Sequence, residues 1–156
     1  MAISRFGAAR AAALLCLAAA AACAADGNGP TLNTAEHPSG TLFFSQVEPP
    51  HTYMQALFEG RVYRDAAGCL RLEMYGVNPH GTAIWPYGFT MEDRDGELHV
   101  KDARGRSIGR VGGHFRFGGG EKDSVKWLGI SERQQELART RCPGKYWIVG
   151  ETDLGS

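Results

Sequence analysis

The sequence lacks an excess of charge of either sign. Lys and Arg together number 17, Asp and Glu also number 17, and the formal net charge is zero. A leader that removes Arg5 and Arg10 but no acidic residue leaves about two negative charges on the mature chain. The basic residues are also interspersed with acidic ones, in 92–106 and in 121–126. Because a phosphate backbone is bound by a concentrated basic surface, we expect no nucleic-acid partner.

The sequence also lacks the local motifs of common catalytic and metal sites. It contains no Gly-x-Ser-x-Gly, His-Glu-x-x-His or Walker sequence, and no complete calcium-binding loop. We therefore predict no cofactor, no metal site and no catalytic residue. An acid and a base on separate loops leave no sequence pattern, so a small hydrolase with a loop-assembled site is kept as an alternative.

An export signal opens the chain. Arg5 and Arg10 precede an apolar run over residues 11–22, and small residues lead up to Cys23. A basic start, a short apolar stretch and small residues before a cut site are typical of a secretory signal peptide. The stretch is too short to span a bilayer. Residues 1–23 are therefore predicted to direct the protein out of the cytoplasm.

Cys23 is the candidate site of lipidation. Ala21, Ala22 and Cys23 are similar to the bacterial lipoprotein signal, in which a cysteine receives a diacylglycerol, although Ala20 replaces the usual larger aliphatic residue. Lipidation also accounts for an otherwise odd thiol in an oxidising space. We predict a membrane anchor on Cys23, in the outer membrane or periplasm of a bacterial cell envelope. An ordinary signal-peptidase cut and secretion in soluble form are the alternative.

Two further cysteines, Cys69 and Cys142, are left in the mature chain. Thiols exported to an oxidising compartment usually pair, so we predict a disulfide between them. Closing a loop of about seventy residues removes denatured-state entropy equivalent to about 4 kcal/mol. A pair of buried free thiols is the alternative.

The mature chain divides by composition into two parts. Residues 24–53 are rich in Gly, Pro, Asn, Thr and Ser, which predicts a flexible tether. Its one apolar patch, residues 42–44, can dock as an edge strand. Residues 54–151 contain short apolar runs separated by Gly, Asp and Asn, which is typical of a single β domain.

The predicted fold class of this domain is mainly β, a small antiparallel barrel, OB-like or similar, with one short helix before the last strand. The clearest strand covers 69–75, where apolar and polar residues alternate. Ser131 and Gln134 have the spacing of a capping box, which predicts a helix from 132 to about 140. A last strand is predicted over 146–149.

Trp85 and Tyr87 are the candidate ligand-facing residues. They flank Pro86, and proline favours an edge or a bulged strand because it cannot donate to a hydrogen-bond ladder. On such a strand one of these rings is partly exposed, as a platform for a sugar, a peptide or an apolar ligand. Burial in the core is the alternative.

Four motifs resemble those of an uncharacterised family of small exported bacterial domains. They are Gly-Cys-Leu-Arg-Leu at 68–72, Ile-Trp-Pro-Tyr-Gly-Phe at 84–89, Gly-Gly-Gly-Glu at 118–121 and Cys-Pro-Gly-Lys-Tyr-Trp at 142–147. The resemblance covers about residues 58–151, with Tyr87 where a second proline is expected. It implies a compact β domain with Cys69 and Cys142 paired, and it supplies no activity and no catalytic or ligand residue.

The predicted function is a non-catalytic binding or accessory module of the cell envelope. The distinctive residues serve turns, core and disulfide rather than any reactive group, and function must be argued from a site rather than from a fold. The alternatives are the small envelope hydrolase and a purely structural envelope protein. A shallow aromatic patch favours binding, whereas a pocket with a converging carboxylate and histidine favours the hydrolase.

Overall fold

The computed structural model of this chain describes residues 35–52, 54–74, 81–150 and 152. In chain order its strands and helices are β1 (Phe44–Ser45), β2 (Ala56–Arg64), β3 (Leu70–Met74), β4 (Gly81–Trp85), β5 (Thr90–Arg94), β6 (Glu97–Lys101), β7 (Ser107–Arg110), β8 (His114–Lys122), a 3₁₀ helix (Val125–Trp127), α1 (Glu132–Arg141) and β9 (Tyr146–Val149). No helix in these described ranges is long and apolar enough to cross a membrane.

Strands β2, β3, β4, β8 and β9 close into a barrel. Strands β2, β3 and β4 form a meander, β8 pairs with β2, and β9 pairs with both β8 and β4. The predicted mainly β, OB-like barrel with one short helix before the last strand is confirmed. The barrel is mixed rather than wholly antiparallel, because β4 and β9 are parallel. Five strands cannot alternate in direction around a closed ring without one parallel pair.

A second sheet, with strand order β5-β6-β7, is inserted in the chain between β4 and β8. Within its strands Val100 is the one residue that is fully buried. Met91 and Ile108 are partly buried against the barrel core. No sequence pattern distinguishes this sheet from the barrel, because hairpins in both are connected by similar turns.

The apolar core has two parts. Inside the barrel aromatic rings stack, with 4.7 Å between the ring centroids of Phe58 and Phe117. A second cluster lies where α1 packs on the barrel, and it includes Leu128, Ala138 and the cysteines 69 and 142. The barrel is therefore filled on the inside and covered by the helix on the outside.

Helix α1 and the disulfide agree with the sequence predictions. The Ser131 hydroxyl accepts a hydrogen bond from the backbone amide of Gln134 at 3.3 Å, as the capping box predicts. The helix ends at Arg141, and the next residue, Cys142, is bonded to Cys69, 73 residues earlier. Both cysteines are fully buried, so the bond joins the start of β3 to the end of α1 inside the second cluster.

The folded domain begins well before Met54, which corrects the predicted tether over residues 35–46. Strand β1 lies at the sheet edge and pairs in parallel with β4, and Leu42 and Phe44 are fully buried. The apolar patch at 42–44 therefore docks as an edge strand, and its burial outweighs the polar composition around it. The predicted signal peptide, Cys23 and the tether residues 24–34 lie outside the described residues.

Candidate functional site

Trp85 is fully buried, which corrects its prediction as a ligand-facing residue. Its ring stacks with Phe43 and Phe89, with centroids 5.7 and 6.3 Å away. Pro86 follows the last residue of β4 instead of lying within an edge strand, so it interrupts no ladder. Because β4 is paired on both sides, the Trp85 side chain belongs to the barrel core.

Tyr87 is 48% exposed, as the sequence analysis predicts for one of the two rings. It lines a cleft of about 410 Å³, which we call the Tyr87 cleft. Phe89, Asp102 and Arg104 also line this cleft. The exposure of Tyr87 is thus observed, whereas binding of a ligand by Tyr87 stays a prediction.

A groove of about 490 Å³ lies beside Trp127, and we call it the Trp127 groove. Trp127 ends the 3₁₀ helix and is 77% exposed, the highest value among the described large apolar residues. Its neighbour Leu128 is fully buried, so the turn is anchored while the indole ring projects into water. Other side chains lining the groove are Gln46, His51, Met54, Lys122 and Ile148.

Gln46 provides a buried acceptor at the wall of the Trp127 groove. The residue is only 6% exposed, its backbone amide donates to the Trp85 carbonyl at 2.9 Å, and its Nε2 donates to the Leu128 carbonyl at 3.3 Å. Its Oε1 is buried and has no hydrogen-bond partner among the described residues. A buried polar atom left in this state costs about 1–3 kcal/mol. A hydrogen-bond donor that reaches Oε1 therefore gains more than it would on an exposed surface.

Glycines of β8 allow the chain to approach closely at the groove. A Cβ on Gly120 would overlap the Met54 side chain, and one on Gly119 would overlap the Ile148 carbonyl oxygen. Gly119 also has a φ of +153°, which other residues rarely adopt. The packing of Met54 and β9 against β8 thus explains the glycines at 119 and 120.

Each of the two clefts contains one cation without an ion-pair partner among the described residues. Lys122 lines the Trp127 groove, and Arg104 lines the Tyr87 cleft. Asp102 also lines the Tyr87 cleft, but its Oδ2 accepts a hydrogen bond from Arg106 Nε at 2.7 Å. Burial raises the pKa of Asp102, yet hydrogen bonds from the Arg104 and Arg106 amides and from the Arg106 side chain outweigh it. The pKa therefore lies below its usual value.

Histidine and carboxylate side chains meet on the surface outside both clefts. His99 Nε2 lies 3.7 Å from Glu97 Oε2, and His114 Nε2 lies 3.7 Å from Glu59 Oε1. Within the part of the chain that the structure describes, no three His, Cys, Asp or Glu side chains are placed to hold a metal ion.

Trp127 and Gln46 are not predicted as site residues from the sequence. Trp127 lies in a segment without strand or helix periodicity, and Gln46 lies within the predicted tether. A usable signal was the single Trp in the polar connection between the last hairpin strand and α1, since connecting segments often carry binding residues. The packing of Gln46 gives no such signal, because it depends on the distant residue Leu128.

Comparisons of this chain with protein-family models, with curated proteins and with solved structures gave no match. The resemblance to a family of small exported bacterial domains therefore stays a prediction. In the fold, the motifs at 68–72 and 142–147 contain the two bonded cysteines. The motif at 118–121 lies on β8, beside the Trp127 groove.

Proposed function

We propose that this protein is an exported, lipid-anchored binding module of the bacterial cell envelope, and that its ligand binds without catalysis in the Trp127 groove. The anchor rests on the N-terminal sequence that ends at Cys23. The binding site rests on one observation above all, the 77% exposure of Trp127 beside a groove.

An exposed tryptophan beside a groove is suited to binding. Burying a large apolar side chain contributes about 1.5–3 kcal/mol, and Trp127 contributes almost none of this to folding because it lies in water. A ligand that covers the indole face buries this ring and so gains part of that free energy on binding. Contiguous exposed apolar surface rimmed by polar residues marks interaction sites, and the exposed side chains of Trp127 and Met54 line the same groove.

Polar groups around the indole define the ligand further. Gln46 Oε1 is an acceptor available for a donor on the ligand, and Lys122 Nζ attracts an acceptor or an anion. Oε1 is buried and unsatisfied in the free protein, so a donor on the ligand that reaches it gains a hydrogen bond. The ligand that fits has an apolar face, an O–H or N–H donor and an acidic or acceptor group. The hydrolase and structural alternatives stay predictions.

Fragment binding observed by nuclear magnetic resonance tests the groove. We expect pyranose- and indole-sized fragments to shift the indole N–H resonance of Trp127 while those of the buried residues Trp85 and Trp147 stay in place. Trp127→Ala should abolish binding of these fragments. Tyr63→Ala, an aromatic substitution outside both clefts, is the matched control and should leave it unchanged. Fragments that bind equally well to Trp127→Ala, or no binding at the groove, would contradict the proposal.

Cell fractionation tests the anchor. We expect the wild-type protein in the membrane fraction with a mass that includes a diacylglycerol and a fatty acid on Cys23. Cys23→Ser should move the protein to the soluble fraction, whereas Cys16→Ser, within the leader, should not. Retention of the Cys23→Ser protein in membranes would show that the anchor is elsewhere.

A further inference from the structure

We infer that the Trp127 groove and the Tyr87 cleft form one extended site for an anionic polysaccharide. This inference rests on the proposed function, because it assigns a ligand class to the same groove and adds a second cleft to it. The two clefts are contiguous, since Pro50 and Gly150 line both of them. A ligand longer than one unit passes from one cleft to the other over these two residues.

The two clefts repeat the same chemistry. Each presents one exposed aromatic ring, Trp127 at 77% and Tyr87 at 48%, and each has one cation without a partner among the described residues, Lys122 and Arg104. A repeated pair of an aromatic ring and a cation matches a ligand with repeated units, each with an apolar face and an acidic group. Sugar rings that carry carboxylates have this pattern.

The pairing of β9 beside the Trp127 groove argues against a peptide that binds by adding a strand to the sheet. Strand β9 pairs with β4 and β8, and β8 pairs with β2 and β9. An extended peptide that adds to a sheet needs an unpaired edge, and Ile148 of β9, which lines the groove, pairs with both Ile84 and Gly120. A pyranose ring needs instead a flat aromatic face and a few polar groups, which Trp127, Gln46 and Lys122 supply.

The charge distribution argues against a single-stranded nucleic acid. Such a ligand carries a phosphate at every unit and is bound by a continuous basic groove. The two clefts supply Lys122 and Arg104, while Asp102 and Arg106 neutralise each other at 2.7 Å. Two cations, Lys122 and Arg104, do not make up such a continuous basic groove.

Calorimetric titration with hexagalacturonic acid tests the inference. We expect the hexamer to bind, with galacturonic acid monomer and the neutral maltohexaose at least about tenfold weaker. Trp127→Ala, Tyr87→Ala, Lys122→Gln and Arg104→Gln should each weaken hexamer binding about tenfold. Lys126→Gln, a cation substitution near Trp127 but outside the groove lining, and Tyr63→Ala are the controls and should bind like the wild type.

The outcomes separate this inference from the proposed function. If Trp127→Ala weakens hexamer binding but Tyr87→Ala and Arg104→Gln do not, the extended site is wrong and the Trp127 groove alone binds. If maltohexaose binds as well as the acidic hexamer, the anionic requirement is wrong. A thymidine oligonucleotide or an acidic peptide that displaces the hexamer at lower concentration would overturn the ligand class. No hexamer binding overturns the inference, and the fragment experiment then decides the proposed function separately.

Discussion

The barrel and the inserted sheet β5-β6-β7 are stabilised by different interactions. In the barrel the side chains pointing inward are large and fully buried, including Phe58, Trp85 and Phe117, and a disulfide joins the start of β3 to the end of α1. In the inserted sheet Val100 is the one fully buried strand residue, and ion pairs cross the surface, such as Glu92–Lys101 at 2.8 Å. Burial contributes far more per residue than surface ion pairs, so stability is concentrated in the barrel.

One type of turn occurs in both the barrel and the inserted sheet, so its hydrogen bonds can be compared directly. The turns that begin at Asp65 and Asp102 share the pattern Asp-Ala-x-Gly, and in each the aspartate Oδ1 accepts two backbone amide hydrogen bonds at 2.9 Å. In each an arginine Nε donates to Oδ2, at 2.8 Å from Arg71 and 2.7 Å from Arg106. The local geometry is thus the same, and the surroundings differ.

The two turns differ in the surroundings of their arginines. Arg71 Nη1 also donates to Thr82 Oγ1 at 2.7 Å and to the Pro143 carbonyl at 3.3 Å, so the Asp65 turn is tied to β4 and to the segment after α1. The Arg106 side chain is 54% exposed, and that of Arg71 is 16% exposed. In the barrel the turn is therefore tied through Arg71 to segments distant in the sequence.

The largest expected effect comes from the barrel core. Trp85→Ala should lower the free energy of unfolding by about 3–5 kcal/mol, because it leaves a large cavity among stacked rings. Met91→Ala, in the inserted sheet, should cost less than half as much because Met91 is only partly buried. Urea denaturation measures both, and Trp85→Phe serves if the alanine variant does not fold. Equal losses at the two positions would refute the concentration of stability in the barrel.

Loss of the disulfide should have the next largest effect on stability. Replacing Cys69 and Cys142 together with alanine should lower the free energy of unfolding by about 2–5 kcal/mol, because the denatured chain loses its crosslink. Thermal unfolding of this variant should match that of the reduced wild-type protein. Compared with the oxidised wild type, the variant should show faster hydrogen exchange at α1 and β3, with little change in β5-β6-β7. Uniform loss of protection across both sheets would contradict the comparison.

The two turn aspartates give a smaller, matched comparison. Asp65→Asn should destabilise the protein by about 1–3 kcal/mol and more than Asp102→Asn, because Asp65 is tied through Arg71 to two further segments. Urea denaturation at neutral pH measures the difference. A larger loss at Asp102 would show that the tertiary links of Arg71 contribute little.

Acid titration of stability checks the same residues. Burial raises the pKa of Asp65, but the Arg71 side chain and the amides of Cys69 and Ala67 outweigh it, so the folded pKa lies below its usual value. The stabilisation is therefore complete above the unfolded pKa of about 3.9 and is lost as pH falls through the lower folded value. The gap between wild type and Asp65→Asn should be constant near neutral pH and should close in acid. A gap that persists in acid would show that the carboxylate charge is not its cause.

The smallest effect is expected on the surface of the inserted sheet. Glu97 pairs with Arg110 across β6 and β7, and both side chains are more than half exposed. Glu97→Gln should change the free energy of unfolding by less than about 1 kcal/mol, and the change should shrink as salt is added. Denaturation at low and at high salt measures it, and a large salt-independent loss would mean that this pair stabilises the sheet as strongly as a core contact.

Much of the fold could be predicted because the deciding signals are local. Alternation of apolar residues predicts the buried side chains Leu70 and Leu72 of β3, and the spacing of Ser131 and Gln134 predicts the start of α1. Trp85, and the tether residues within 35–46 that surround the patch 42–44, were predicted wrongly because their burial depends on partners distant in sequence. Phe44 pairs with Ile84, and no local pattern reports that contact.

The sequence by itself determined the mainly β character, the helix cap and the two cysteines available for bonding, because periodicity, side-chain chemistry and spacing act over a few residues. Only the tertiary structure decided the parallel closure of β9 on β4, the burial of Trp85 and the meeting of Gln46 with Trp127 at one groove. These features arise when segments far apart in the chain bury one another's apolar surface. The candidate site belongs to this second group, so it could be found only once the barrel was closed.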